Sequence, residues 1–152
     1  MARTPFVAKA AYDPSHPDAL ALYCSDGRFT DSVEELLHSL GHARLDTLTM
    51  AGGPGLFNLW IAGIGDSTSI ASGAKFLIEA HRIKRVILIA HEGCGYYKKH
   101  LPGRAPRDVR HQQEDDLRLA ARTLETARSG LRVDAFYACI AEGHVAFDPV
   151  AR

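Results

Sequence analysis

The chain has few cysteines, no net charge and no long apolar run, and each shortage removes a class of protein. Cys24, Cys94 and Cys139 are an odd number at irregular spacing, so the sequence offers no disulfide framework and the thiols read as reduced. Lys+Arg and Asp+Glu are equal at 18 each, which leaves no electrostatic bias towards nucleic acid or a membrane surface. No apolar stretch approaches the roughly 18 residues of a spanning helix, and Met1-Ala2-Arg3-Thr4-Pro5-Phe6-Val7 lacks the apolar centre of a secretory signal. The expected location is the cytoplasm, with no nucleic acid and no membrane as partner. Nucleotide fingerprints are missing as well. Gly52-Gly53-Pro54-Gly55 matches neither phosphate-binding pattern, Gly63-Ile64-Gly65 lacks the third glycine, and Cys94 is followed by Lys98, Lys99 and His100 rather than by an arginine that would gather phosphate.

What is present suits one α/β domain over residues 1–152. With 46% hydrophobic residues the chain can bury a core without staples. Strand-like and helix-like segments alternate, the pattern that builds parallel strands joined by crossover helices. Ala19 to Tyr23 reads as a buried strand ending at Cys24. Val33, Leu36, Leu37 and Leu40 then recur at helical spacing, with Asp31 or Ser32 as a capping oxygen and Gly41 as a stop. Leu45 to Met50 is a second strand that runs into a loop at Gly52. Ser67 to His81 is a helix with Ile70, Ala74, Leu77 and Ile78 inward. Arg85 to Ala90 is the strongest buried-strand signal and delivers His91 at its carboxyl end. A polar connection around residues 101–110 leads to a helix with Leu117, Ala120, Ala121 and Leu124 inward and a strongly charged outer face. Val133 to Ile140, a turn at 141–144 and Val145 to Phe147 read as an antiparallel hairpin at a sheet edge. The fold class is therefore α/β, a mainly parallel central sheet flanked by helices with an antiparallel edge hairpin.

Two short segments carry chemistry: Cys24-Ser25-Asp26-Gly27-Arg28 and His91-Glu92-Gly93-Cys94. Both follow buried strands, and ligands gather at the carboxyl ends of strands in open α/β sheets. Two thiolates, an imidazole and a carboxylate suit zinc, whose fourth position decides between a structural ion and one that activates water. Asp26 and Arg28, two apart, face the same side of an extended backbone and can pair. Plainer readings stand beside these. A lone Cys24 is a buried inert thiol, Asp26 with Arg28 is an ion pair stiffening a turn, Cys139 is core, and His100, His111 and His144 are solvated rather than proton relays.

Cys24-x-Asp26-x-Arg28 followed by His91-x-x-Cys94-Gly95 resembles the β-class carbonic anhydrase family, over roughly Leu20 to Tyr97. The order of strands and helices around the motif is similar too, as expected of a divergent short member with a β-carbonic anhydrase-like fold. The resemblance implies a Zn2+ cofactor, with Cys24, His91 and Cys94 as constant ligands. Asp26 either takes the fourth position or pairs with Arg28 and admits water. It implies a lyase that hydrates carbon dioxide reversibly to bicarbonate by zinc-bound hydroxide, acting as a homodimer or higher homo-oligomer on a small-molecule substrate. The departures bear on substrate. Thr49-Met50-Ala51-Gly52 stands where the family usually has Arg-Asn-Ala-Gly, Tyr96 and Tyr97 add bulk and hydroxyls by the expected entrance, and little chain precedes Leu20 for an N-terminal arm. Hydrolysis of carbon disulfide or carbonyl sulfide on the same scaffold is one alternative, and a non-enzymatic zinc-binding regulatory domain is another.

Overall fold

A computed structural model of the chain describes residues 4–152; residues 1–3, part of the segment read as lacking a secretory signal, lie outside the described residues. Strands β1 (Ala19–Cys24), β2 (Asp46–Met50), β3 (Arg85–His91), β4 (Arg132–Ala141) and β5 (His144–Pro149) form one sheet in the order β2-β1-β3-β4-β5. The first four run parallel and β5 runs antiparallel to β4. Helices α1 (Thr30–Ser39), α2 (Leu59–Ala80), α3 (Gly95–His100) and α4 (Pro106–Glu125) connect them. Among the described residues no helix is long and apolar enough to cross a membrane.

The strands read as continuous apolar runs because both faces are covered. Leu20 and Leu22 of β1, with Val86, Leu88 and Ala90 of β3, pack under α2 and α4. Ala19, Ala21, Ile87 and Ile89 face the other way, onto Val33 and Leu37 of α1. The split follows from the connections. The chain leaves β1 towards β2, then returns past β1 to lay down β3 on its far side, so right-handed crossovers put α1 and α2 on opposite faces. The loops after β1 and β3 therefore diverge, and a crevice opens between the carboxyl ends of those two neighbours.

Several boundaries differ from the sequence reading, each for a local reason. The cap of α1 is Phe29 rather than Asp31 or Ser32, with no side-chain bond; the chain enters through a turn in which the Phe29 amide donates to Asp26 O at 3.1 Å, and the Phe29 ring is spent on packing. Gly41 does end α1, at φ 89°, with its amide and that of His42 donating to the carbonyls of His38 and Leu37. The segment after Gly52 is a buried 3₁₀ turn over Gly53–Phe57 rather than a loop. Helix α2 begins at Leu59, well before Ser67, with a break at Gly63 (φ 74°, ψ 169°). Its early turns hid because Leu59, Trp60 and Ile64 point outward and leave no inward apolar rhythm. Helix α3 is too short to show a period, and α4 starts at Pro106, within the expected connection, where proline suits the first helical position. The edge hairpin is as expected; Glu142 (φ 51°) and Gly143 (φ 80°) are both left-handed, as a two-residue primed turn requires.

Gly53 is pressed against the end of β1. A Cβ there would lie 2.6 Å from the Cys24 amide nitrogen, and φ is 50°. Gly53→Ala is expected to destabilise the metal-free protein by about 2–4 kcal/mol, from backbone strain plus overpacking. Urea unfolding of the two proteins measures it.

Candidate metal centre

Cys24 closes β1 and His91 closes β3, and the pairing of Tyr23 with Ile89 brings the two strand ends side by side. Gly93, at φ 68°, turns the chain after the strand so that Cys94 comes back to cap α3. The result is a cluster of three: Cys24, His91 and Cys94 each offer one ligand atom, and these atoms all lie within 4.8 Å of one another. The two sulfurs are 4.0 Å apart. Tetrahedral zinc with bonds of about 2.3 Å to sulfur needs an edge of about 3.8 Å, so the pair is spaced for one shared ion.

The imidazole is set up for the same role. His91 Nδ1 lies 2.9 Å from the Glu92 carbonyl, which can only accept, so the proton sits on Nδ1 and the lone pair on Nε2. Nε2 is buried and has no hydrogen-bond partner among the described residues. An orphaned buried acceptor is costly, and a metal ion is a fitting partner for it. The ring packs against Phe29, with centroids 4.4 Å apart and the planes tilted by 41°. Donor chemistry, spacing and orphan atom together fit zinc.

The thiols ionise unequally. Cys24 is drawn down to about 4, chiefly by the hydrogen bond from Cys94 and, against the cost of burial, by His91 and the amides of Gly52 and Asp26. Cys94 is pushed up by that same bond and by burial, with the amides of Tyr97 and Tyr96 at the start of α3 acting in the opposite sense. The contact between the sulfurs thus favours the thiolate at Cys24 and the thiol at Cys94.

Asp26 and Arg28 pair, though through a turn rather than the extended backbone expected. Arg28 Nε donates to Asp26 Oδ1 at 3.0 Å and Nη2 to Oδ2 at 2.6 Å, while the Arg28 amide donates to Oδ1 at 3.1 Å. The guanidinium bonds hold the carboxyl well below its usual range, at about 2. Asp26 Oδ2 stands 4.0 Å from His91 Nε2, beside the cluster of three.

The remaining sequence candidates fall elsewhere. Tyr97 does not add a hydroxyl at the entrance: it is buried, and its hydroxyl donates to Asp116 Oδ2 at 2.5 Å. Tyr96 rests on Gly52 and stacks on His100, 4.1 Å between centroids. His100, His111 and His144 are exposed. Cys139 is half-buried in β4, with its sulfur 3.6 Å from Ala146 O, short of the full core position expected. Sequence reasoning missed Asn58, Gln113 and Asp116. Asn58 caps α2 by accepting from the Trp60 amide and donates to Asp116. Gln113 and Asp116 are polar by type and were not singled out, yet each is only 2% exposed. Their spacing held the signal, since they stand four residues before the inward Leu117 and Ala120.

No family model matches this sequence, and no curated protein matches it. Solved structures do. A β-carbonic anhydrase of Trichomonas vaginalis superposes with a TM-score of 0.56 at 14% identity, covering 91% of this chain and 86% of that one. The carbonic anhydrase of Streptococcus mutans gives 0.56 at 15%, over 93% and 87%. A tetrameric β-carbonic anhydrase of Sordaria macrospora gives 0.54 at 15%, over 90% and 84%. The chain has the fold of these enzymes.

Arg28→Met is expected to raise the Asp26 pKa from about 2 towards the ordinary 3.8, since the bonds removed favour the charged form. A carboxyl favoured as its anion in the native state stabilises the fold above roughly pH 4, and that contribution is lost as pH falls through the native pKa. Carboxyl-carbon NMR titration of metal-free protein follows the shift.

Proposed function

We propose that the chain is a zinc-dependent carbonic anhydrase-like enzyme that hydrates carbon dioxide reversibly to bicarbonate. In this reading Cys24, His91 and Cys94 hold the ion, and Asp26 with Arg28 governs its fourth position. The observation that carries it is the buried, unpartnered His91 Nε2 facing two sulfurs at the crevice of this fold. Zinc, when bound, supplies a Lewis acid that brings the pKa of water to about 7.

The chain's own residues have distinct tasks. Phe29 and the Glu92 carbonyl fix the plane and tautomer of His91. Arg28 grips Asp26, keeping the carboxylate charged and turned to the guanidinium instead of closing the site. A carboxylate with so low a pKa is a weak base, so Asp26 serves as a hydrogen-bond acceptor that orients a hydroxyl, and bulk solvent takes the proton. Should Asp26 leave Arg28, the same oxygens become the fourth ligand. Thr49-Met50-Ala51 puts no charged group beside Cys24, and on that ground carbon disulfide or carbonyl sulfide is the second reading. The metal-binding thiols require a reducing compartment, which supports a cytoplasmic site of action.

A second copy of the chain is the proposed partner. Trp60, Ile64 and Leu59 are 97%, 79% and 55% exposed on the first turns of α2, beside Ile61, which packs with Cys94 and Tyr97. So large an apolar patch is normally covered. The tetrameric Sordaria macrospora relative supports the same assembly. Trp60→Asp is expected to shift the protein towards monomer in analytical ultracentrifugation.

Zinc-loaded protein should accelerate carbon dioxide hydration in stopped flow, with a rate rising from about pH 6.5 to 9 as water near the zinc range ionises. His91→Ala and Cys24→Ser should each lose bound zinc and at least a hundredfold in rate, an order of magnitude set by loss of a metal ligand. Stoichiometric zinc without acceleration at any of these pH values would refute the hydratase reading, and release of sulfide from carbonyl sulfide would establish the second.

A further inference from the structure

Helix α4 carries two buried polar side chains one turn apart, Gln113 and Asp116, that covering the sheet does not require. Leu117, Ala120, Ala121 and Leu124 already do that. Both polar residues reach the segment that bears the ligands. Gln113 Nε2 donates to the His91 carbonyl at 2.9 Å, while its own Oε1 is buried without a partner. Asp116 accepts from Tyr97 Oη at 2.5 Å, from Asn58 Nδ2 at 2.7 Å and from Gln112 Nε2 at 3.0 Å.

These bonds fall where the ligands are hinged. The peptide joining His91 to Glu92 is pinned at both ends, its carbonyl by Gln113 and its amide by Ala138 O at 2.8 Å. The next carbonyl, that of Glu92, accepts from the His91 ring, so a tilt of the pinned peptide swings the imidazole. On the other side Tyr97 lies three residues past Cys94, its ring in the same apolar cluster, with Gly55 so close that a Cβ there would sit 2.1 Å from the hydroxyl. Anchoring Tyr97 to Asp116 therefore sets the start of α3, and with it the Cys94 sulfur. Asn58 ties the head of α2 to the same carboxylate.

We infer that Gln113 and the Tyr97–Asp116 pair form a platform on α4 that presets His91 and Cys94 for the metal, acting as positioning residues. The inference rests on the zinc reading above. It also explains why a buried amide with an unpaired oxygen stands at position 113: ligand geometry is favoured there over the stability of the helix interface.

The test uses full-length Gln113→Met, which keeps volume and removes the donor, and Tyr97→Phe, which removes one oxygen and keeps the test open should the first variant fail to fold. Arg122→Gln, on the exposed side of the same helix, is the control. Zinc affinity is read by chelator competition, cobalt substitution by the ligand-field spectrum, and metal-free stability by thermal unfolding. Each platform variant is expected to bind zinc about tenfold more weakly, the low end for groups that orient ligands, with displaced cobalt bands. The metal-free midpoint of Gln113→Met should stay within a few degrees of wild type, because losing the bond to His91 is offset by removing the unpaired oxygen. Variants that bind zinc within twofold of a zinc-binding wild type, with unchanged cobalt spectra, overturn the platform alone. So does an affinity loss that vanishes once corrected for folded fraction. A wild-type chain that takes up no zinc overturns the metal reading, and the platform with it.

Discussion

The pairing of β1 with β3 is the contact on which the rest of the molecule depends. These strands are neighbours in the sheet yet belong to connections that run in opposite directions, so nothing bridges the gap between their carboxyl ends. Each strand is buried on both faces, which fixes its register through Leu20, Leu22, Val86 and Leu88 on one side and Ala21, Ile87 and Ile89 on the other. A register slip would carry the final residue of either strand to the wrong face. Hydrophobic packing thus does the work of placing Cys24 against His91, and the polar groups beyond the strands refine it.

The donor groups collected there suit a divalent cation. Two thiols and the Asp26 carboxylate converge beside a single guanidinium, and the contact between the thiols favours ionisation of Cys24 and opposes that of Cys94. In the proposed zinc reading an ion would compete with the thiol protons, so affinity would rise with pH. Arg28 balances Asp26 and would leave the sulfurs to that ion. The division keeps the carboxylate available without letting it dominate the site.

Much of this was legible in the sequence because it rests on strong local signals. Continuous apolar runs gave β1 and β3, glycine gave the end of α1 and the hairpin turn, and the two short motifs gave the three clustered residues. The parts that stayed hidden share a cause: their meaning is tertiary. Helix α3 has too few residues for a period to show, and the head of α2 turns Leu59, Trp60 and Ile64 outward. Gln113 and Asp116 are polar by type and buried by context, and only the packing of α4 on the His91 turn shows what they meet. Tyr97 was placed at the entrance on size and chemistry, whereas the vacancy above Gly55 draws it inward.

That vacancy, with the tight approach of Gly53 to the Cys24 amide, has a bearing on how this scaffold can be re-engineered. Met50 stands opposite Cys24 in the sheet, and Thr49 and Ala51 on either side of it are exposed, so changes of bulk there meet few neighbours. The two glycines accept no such change, because no side chain can be accommodated at either point without moving main chain or displacing a phenol. A library aimed at the carboxyl ends of these strands should therefore randomise residues 49–51 and leave Gly53 and Gly55 untouched.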